Sequence, residues 1–251
     1  MSQTQADERP RTDIAQILSA LSAGLVIGIL AVFLQVSFAA MIFSGELSPF
    51  LGAGVGICLF GALVIGLVST ITSSFASTIS TPQDSSAAIL GVVGAAIAAS
   101  LTAVSSARLF ATVVVTIMLS TLITGAAFWL MGRFSLGKLV RFIPYPVVGG
   151  FLAGVGWLLV VGGIGVMTDV PFGLTLVQPQ ALVRWLPGLL FALALFVIAR
   201  RYTHFLIMPL FLLVGIGVFY MIYFLLYGTI EMAGVDGWLL GPFPAGGMWD
   251  P

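Results

Sequence analysis

The sequence predicts an all-α polytopic membrane protein with seven crossings, the third of them broken. Three observations predict it. Of 251 residues, 60% are hydrophobic and only 7% charged, and the mean hydropathy is +1.18. A soluble domain carries about 25% charged residues, so in water this chain would expose large apolar patches. Apolar runs near the length of about 20 residues that a spanning helix needs recur from end to end. Finally, Lys and Arg gather in alternate connections between those runs, as short loops on one side of a membrane do.

In order, the spanning runs are 16–43, 50–72, 107–131, 147–167, 186–199 and 205–227. The first has Asp7, Glu8 and Asp13 before it and is too long for a signal peptide, so it is expected to stay in the membrane. Between the second and third runs, residues 73–80 read SSFASTIS, followed by Thr81-Pro82 and a short apolar stretch from Asp84 to about Leu101. An extended segment leading into a half-span completes a crossing there. The run at 186–199 is the shortest.

With a cytoplasmic N-terminus, the inside loops hold Arg9, Arg11, Arg133, Lys138, Arg141, Arg200 and Arg201. The outside loops then hold Arg108 and Arg184 beside Glu46, Asp169, Glu231, Asp236 and Asp250. Dropping the broken span would move Arg133, Lys138 and Arg141 outside, against the positive-inside bias. An odd number of spans means that a duplicated copy enters the membrane upside down. No duplication is visible within the chain, so it reads as one repeat of a larger transporter, in a fragment or half-length protein.

The broken third span carries the candidate site. Backbone polar groups at membrane depth must be buried in protein or line a water-filled cavity. In residues 80–91, STPQDSSAAILG, Thr81 suits the N-cap, Pro82 the first helical position and Asp84 the third. A helix starting there presents free N–H groups and a positive dipole end inside the membrane, a natural anion site. Thr81, Gln83, Ser85 and Ser86 are the candidate substrate-binding residues of that turn. Asp84 is the carboxylate placed at membrane depth, a functional candidate by default. It either caps its helix or couples transport to a proton or sodium ion, and its charge disfavours direct contact with an anion. In the first span, Gln35 and Ser37 are the polar residues of an apolar helix. A buried amide needs partners, so Gln35 faces the bundle interior, either bonding another helix or contacting substrate. The segment 141–150, RFIPYPVVGG, reads as a hinge or surface helix.

Other classes are disfavoured. A net charge of zero gives no basic face for nucleic acid. Cys58 is the single cysteine, inside an apolar run, and the single histidine, His204, lies beside Arg200 and Arg201. An intramembrane enzyme needs a nucleophile–base pair, paired carboxylates or a metal cluster, and none is in place. No cofactor or metal is expected.

Three stretches together resemble the SulP (sulfate permease) family of anion transporters. LQVSFAA resembles the Pro-Gln-x-x-Ala-Tyr-Ala end of that family's first span, with Leu34 in place of the proline. ISTPQDSSAAILG resembles the Gly-Pro-x-x-x-x-Ser start of its third-span half-helix, with Thr81 in place of the glycine. RFIPYPVVGGFLAGVGWLLV resembles the Phe-Ile-Pro-x-Pro-Val-x-x-Gly-Phe passage into span five. The likeness covers roughly residues 15–227. It implies one seven-span repeat of a seven-plus-seven inverted-repeat fold. Residues 1–15 become a cytoplasmic tail, 16–131 core-domain spans 1–4, 132–146 a cytoplasmic connector and 147–227 gate-domain spans 5–7. Residues 228–251 become an extracytoplasmic tail that stops before span eight, with any STAS domain beyond it. The implied activity is secondary active transport of a small inorganic or organic anion, such as sulfate, bicarbonate, chloride or a carboxylate, across the cell (inner or plasma) membrane. The expected partners are the lipid bilayer and a second copy of the chain or a missing second repeat. A nucleobase or ascorbate permease of the same fold, and a membrane subunit that completes a site with another chain, are the alternatives.

Overall fold

The computed structural model describes residues 14–74, 79–101, 104–168, 170, 172–202, 204, 206–227, 234 and 237–240. They fold into seven α-helices: α1 (Ile14–Ile42), α2 (Leu51–Thr72), α3 (Asp84–Ser100), α4 (Ser106–Arg133), α5 (Tyr145–Thr168), α6 (Pro179–Arg201) and α7 (Ile207–Tyr227). Among the described residues there is no strand. Six helices are long and apolar enough to cross a bilayer, and α3 is a shorter apolar helix. The chain is an integral, multi-pass membrane protein. Residues 1–13, 75–78, Asp169 and most of 228–251 lie outside the described residues, and with them Arg9, Arg11 and the middle of the expected break.

Each spanning run lies on one helix, and the largest difference is at α6. It begins at Pro179 rather than at 186. Pro179 occupies the first turn, where its missing N–H removes no helical bond, while Pro187 lies inside the helix. Gln180 and Arg184 make those first turns too polar for an apolar run to reveal. The connector 132–146 contains a 3-10 helix, Leu136–Phe142, entered through Ser135 in the left-handed region at φ 52°. Arg141 there lies over the Phe142 ring, 5.3 Å from its centroid.

The core gathers at the end of the bundle where α1 finishes, around Ala39–Ile42 of α1, Phe43, Leu47, Leu51 and Val55, Ala87 and Ala88 of α3, and Leu109 and Val113 of α4. Close approach of the backbones builds it. A Cβ on Gly91 would meet the Met41 carbonyl oxygen at 3.2 Å, and one on Gly94 the Ile42 carbonyl oxygen at 3.2 Å. Gly162 of α5 faces the Met41 side chain, and Gly54 of α2 faces the Phe43 ring. Small residues at such crossings are the usual device of membrane helices, where van der Waals contact replaces the hydrophobic drive. Phe110 of α4 closes the corner, stacked on Phe50 at 4.7 Å between ring centroids. Further along the chain, Met167 of α5 packs on Gly188 of α6, and Phe191 of α6 on Gly215 and Phe211 of α7.

Beyond α2, Ser80 lies against that helix. The Ser69 and Ser80 hydroxyls are hydrogen-bonded at 2.6 Å, and the Ser80 carbonyl lies beside Gly66. Ser80→Ala is expected to cost about 0.5–1.5 kcal/mol, an ordinary net hydrogen-bond contribution. Thermal unfolding in detergent checks this, and adding Ser69→Ala should cost little more, since one bond is lost in either case.

Candidate functional site

The site is built where α3 begins. Held beside α2 at Ser80, the chain stays extended through Gln83, which is the N-cap residue at φ −86°, ψ 141°. This corrects the capping expected from the sequence. Thr81 is not the cap, Pro82 is not in the helix, and Asp84 is its first residue rather than its third. The Gln83 side chain makes no capping hydrogen bond. Asp84 Oδ1 accepts a hydrogen bond from the Ser85 N–H at 2.8 Å, and the first N–H bonded back along the chain in helical fashion is that of Ala87, to the Gln83 carbonyl at 3.1 Å. Of the first-turn N–H groups, those of Asp84 and Ser86 have no partner among the described residues, and the positive end of the helix dipole lies behind them.

The depth of that turn follows from the packing of α3 on α1. Contacts advance together along both helices, from Met41 with Gly91 to Ile42 with Gly94, so the two run in the same direction. Counting back about two turns from the Ile42–Gly94 contact brings Gln35 opposite Ala87. Residues about two turns apart also share a face, so Gln35 lies on the same face of α1 as Ile42, at the level of the first turns of α3. The α1 span runs Ala20–Ile42 over 23 residues, about 34 Å at 1.5 Å per residue. Asp84, about three turns below Gly94, thus starts α3 about 15 Å inside that span, near its middle.

Gln35 is 1% exposed, and its Nε2 is buried with no hydrogen-bond partner among the described residues. A buried amide donor left unpaired costs about 1–3 kcal/mol, a cost that a hydrogen bond to a ligand or water would relieve. Ser37 points elsewhere: it is exposed, and its hydroxyl donates to the Phe33 carbonyl of its own helix at 2.8 Å. Thr81 and Ser85 are half-buried, while Gln83, Asp84 and Ser86 are exposed. Polar groups uncovered at this depth must face protein or water, not lipid. By register Gln35 and the Thr81–Ser86 turn lie at one level of the bundle, whereas Ser37 is exposed and bonded to its own helix.

Among the described residues no group of three metal-ligating side chains occurs, and Cys58 is half-buried on α2. A cavity of about 740 Å³ lies elsewhere, at the α5–α6 junction between Thr168, Gln178, Arg184 and Trp238. It opens beyond the Met41–Gly162 contact, at the end of the bundle remote from the Asp84 turn. Trp185 helps shape that junction by donating from Nε1 to the Leu176 carbonyl at 3.1 Å. Sequence reasoning missed both this cavity and the glycine contacts of Gly91, Gly94 and Gly162.

The chain is similar to two characterised transporters. It is 29% identical over 113 residues to the vacuolar basic amino acid transporter VSB1 of Saccharomyces cerevisiae, covering 42% of this chain and 11% of that protein. It is 28% identical over 142 residues to the bicarbonate transporter BicA of Picosynechococcus sp., covering 51% of this chain and 24% of that one. The matched region thus spans a quarter or less of either relative. No protein-family model matches the chain, and no solved structure matches it. Six membrane-length helices define an integral, multi-pass membrane protein, and the two proteins it is similar to are named as transporters.

Proposed function

We propose that the protein is a secondary active transporter of a small anion or carboxylate-bearing solute, working by alternating access, with substrate bound between Gln35 and the first turn of α3. The observation that carries the reading is the buried, unpartnered Gln35 Nε2, which the helix register puts at the level of an N-terminus whose cap residue makes no side-chain bond. Helix N-termini of discontinuous spans that meet anionic groups at the bilayer centre are the recurring device of such transporters. The relatives support a carboxylate in particular: bicarbonate and the amino acids named in their descriptions share that group. Ser85 and Ser86 add hydroxyls to the same turn, and Thr81 and Gln83 flank it.

The arrangement of a sulfate-permease-type repeat fits these features, with α1–α4 as the core unit and α5–α7 as the gate unit. The exposed Gln83, Asp84 and Ser86 then need covering by a second repeat or a second copy. With Arg133, Lys138, Arg141, Arg200 and Arg201 at one end, that end faces the cytoplasm. Flux into vesicles reconstituted with the protein tests the proposal. Uptake of labelled bicarbonate, sulfate or an amino acid is expected, and uptake of uracil alone would refute it in favour of a nucleobase permease.

A further inference from the structure

Between α4 and α5 the chain runs through residues 134–144, most of them in the 3-10 helix Leu136–Phe142. Every residue from Gly132 to Tyr145 is exposed, and much of what is exposed is apolar: Leu139 is 56% and Phe142 70% exposed. A 3-10 helix turns once in about three residues, so side chains at i and i+3 share a face. Leu136, Leu139 and Phe142 therefore form one row, and Lys138 and Arg141 a second. Arg133, in the last turn of α4, adds a third cation just before them. No Asp or Glu lies between Asp84 and Asp169 in the sequence. Arg133, Lys138 and Arg141 make no ion pair among the described residues; the Arg141 guanidinium lies instead over the ring of Phe142.

We infer that this connector is a lipid-binding segment lying in the membrane surface, with the Leu136–Leu139–Phe142 row among acyl chains and Arg133, Lys138 and Arg141 on the phosphates of anionic headgroups. Both its ends are fixed to spanning helices, and the seven residues of its 3-10 helix rise only about 14 Å, so it stays near the membrane boundary. Segments with an apolar face and a Lys/Arg face settle in that boundary, and anionic lipids draw basic residues to it. Guanidinium and phosphate make charge-assisted hydrogen bonds there. Charge complementarity selects this occupant. A protein partner covering the apolar row would have to bring carboxylates for three cations beside it, whereas an anionic bilayer offers apolar chains and negative charge in one surface.

Two measurements on the full chain test this. With Cys58→Ala and a spin label on Leu139→Cys in a bilayer, the label is expected to be relaxed by oxygen, which concentrates among acyl chains, and shielded from a water-soluble nickel chelate. Ready relaxation by the chelate, as for a loop in water, overturns the inference. Shielding from both reagents overturns it too, and spin–spin broadening then identifies a second copy as the occupant. Headgroup choice is read by competition of phosphatidylglycerol with phosphatidylcholine for the detergent-solubilised chain in native mass spectrometry. Phosphatidylglycerol is expected to be favoured, and Lys138→Gln with Arg141→Gln to lower that preference about tenfold or more. Arg108→Gln, at the opposite end of α4, is expected to leave it unchanged, and soluble glycerol phosphate to displace no lipid. Equal binding of the two lipids, or an equal loss in the Arg108→Gln chain, overturns the inference. So does displacement by glycerol phosphate, which makes the cations a site for a free anion.

Discussion

Gln35→Leu is expected to abolish most transport while leaving the fold as stable as before or more so. Leucine has nearly the shape of glutamine without its amide. It relieves a buried, unpartnered donor whose desolvation costs about 1–3 kcal/mol. Thermal unfolding in detergent should therefore stay level or rise. Substrate meanwhile loses a hydrogen bond from the protein to a charged group, about 1.5–3 kcal/mol, or roughly ten- to a hundredfold in affinity. Opposite signs for stability and uptake are the signature of a residue kept for its ligand. A fall in stability with unchanged uptake would instead make Gln35 a brace between helices.

The second large effect is at Gly91. The nearest atom to a Cβ there is the Met41 carbonyl oxygen, part of a helix backbone and unable to swing aside. Gly91→Val should push α3 away from α1 and cost about 1–3 kcal/mol, the usual penalty of overpacking. Because α3 carries its first turn with it, uptake should fall as well. Gly125 on α4 has open space where its Cβ would be, so Gly125→Val serves as the control and should change neither quantity appreciably. Equal tolerance at both positions would mean that the α1–α3 contact does not position the site.

Much of this fold was legible because the bilayer imposes a length on each span and a side on each charge. Runs of apolar residues located the spanning helices, and the polar stretch at 73–82 located the interruption before α3. Where the bilayer's constraint is weakest, legibility fell. The first turns of α6 carry Gln180 and Arg184 near a membrane surface, so hydropathy understated that helix. The cap of α3 was misread for a tertiary reason: Ser80 is tied to Ser69, and the helix starts only after the chain leaves α2. Local capping preference gives no sign of that contact. Gln35 was visible as a polar residue in an apolar helix, with bracing and ligand contact equally open. Its Nε2 has no partner among the described residues, which supports the ligand reading, and that depends on which residues surround it. Ser37, two positions away, looked equally eligible by composition and turns out to bond its own backbone.

The central claim is that the first turn of α3 faces a watery substrate site near mid-membrane rather than lipid. Cysteine accessibility at Ser86 tests it most directly. The chain's single cysteine, Cys58, is first replaced by alanine, and Ser86→Cys is introduced. A charged, water-soluble thiol reagent should then label the chain, and a transported carboxylate solute should protect it. Labelling only by lipid-soluble reagents, unaffected by any solute, would contradict the account.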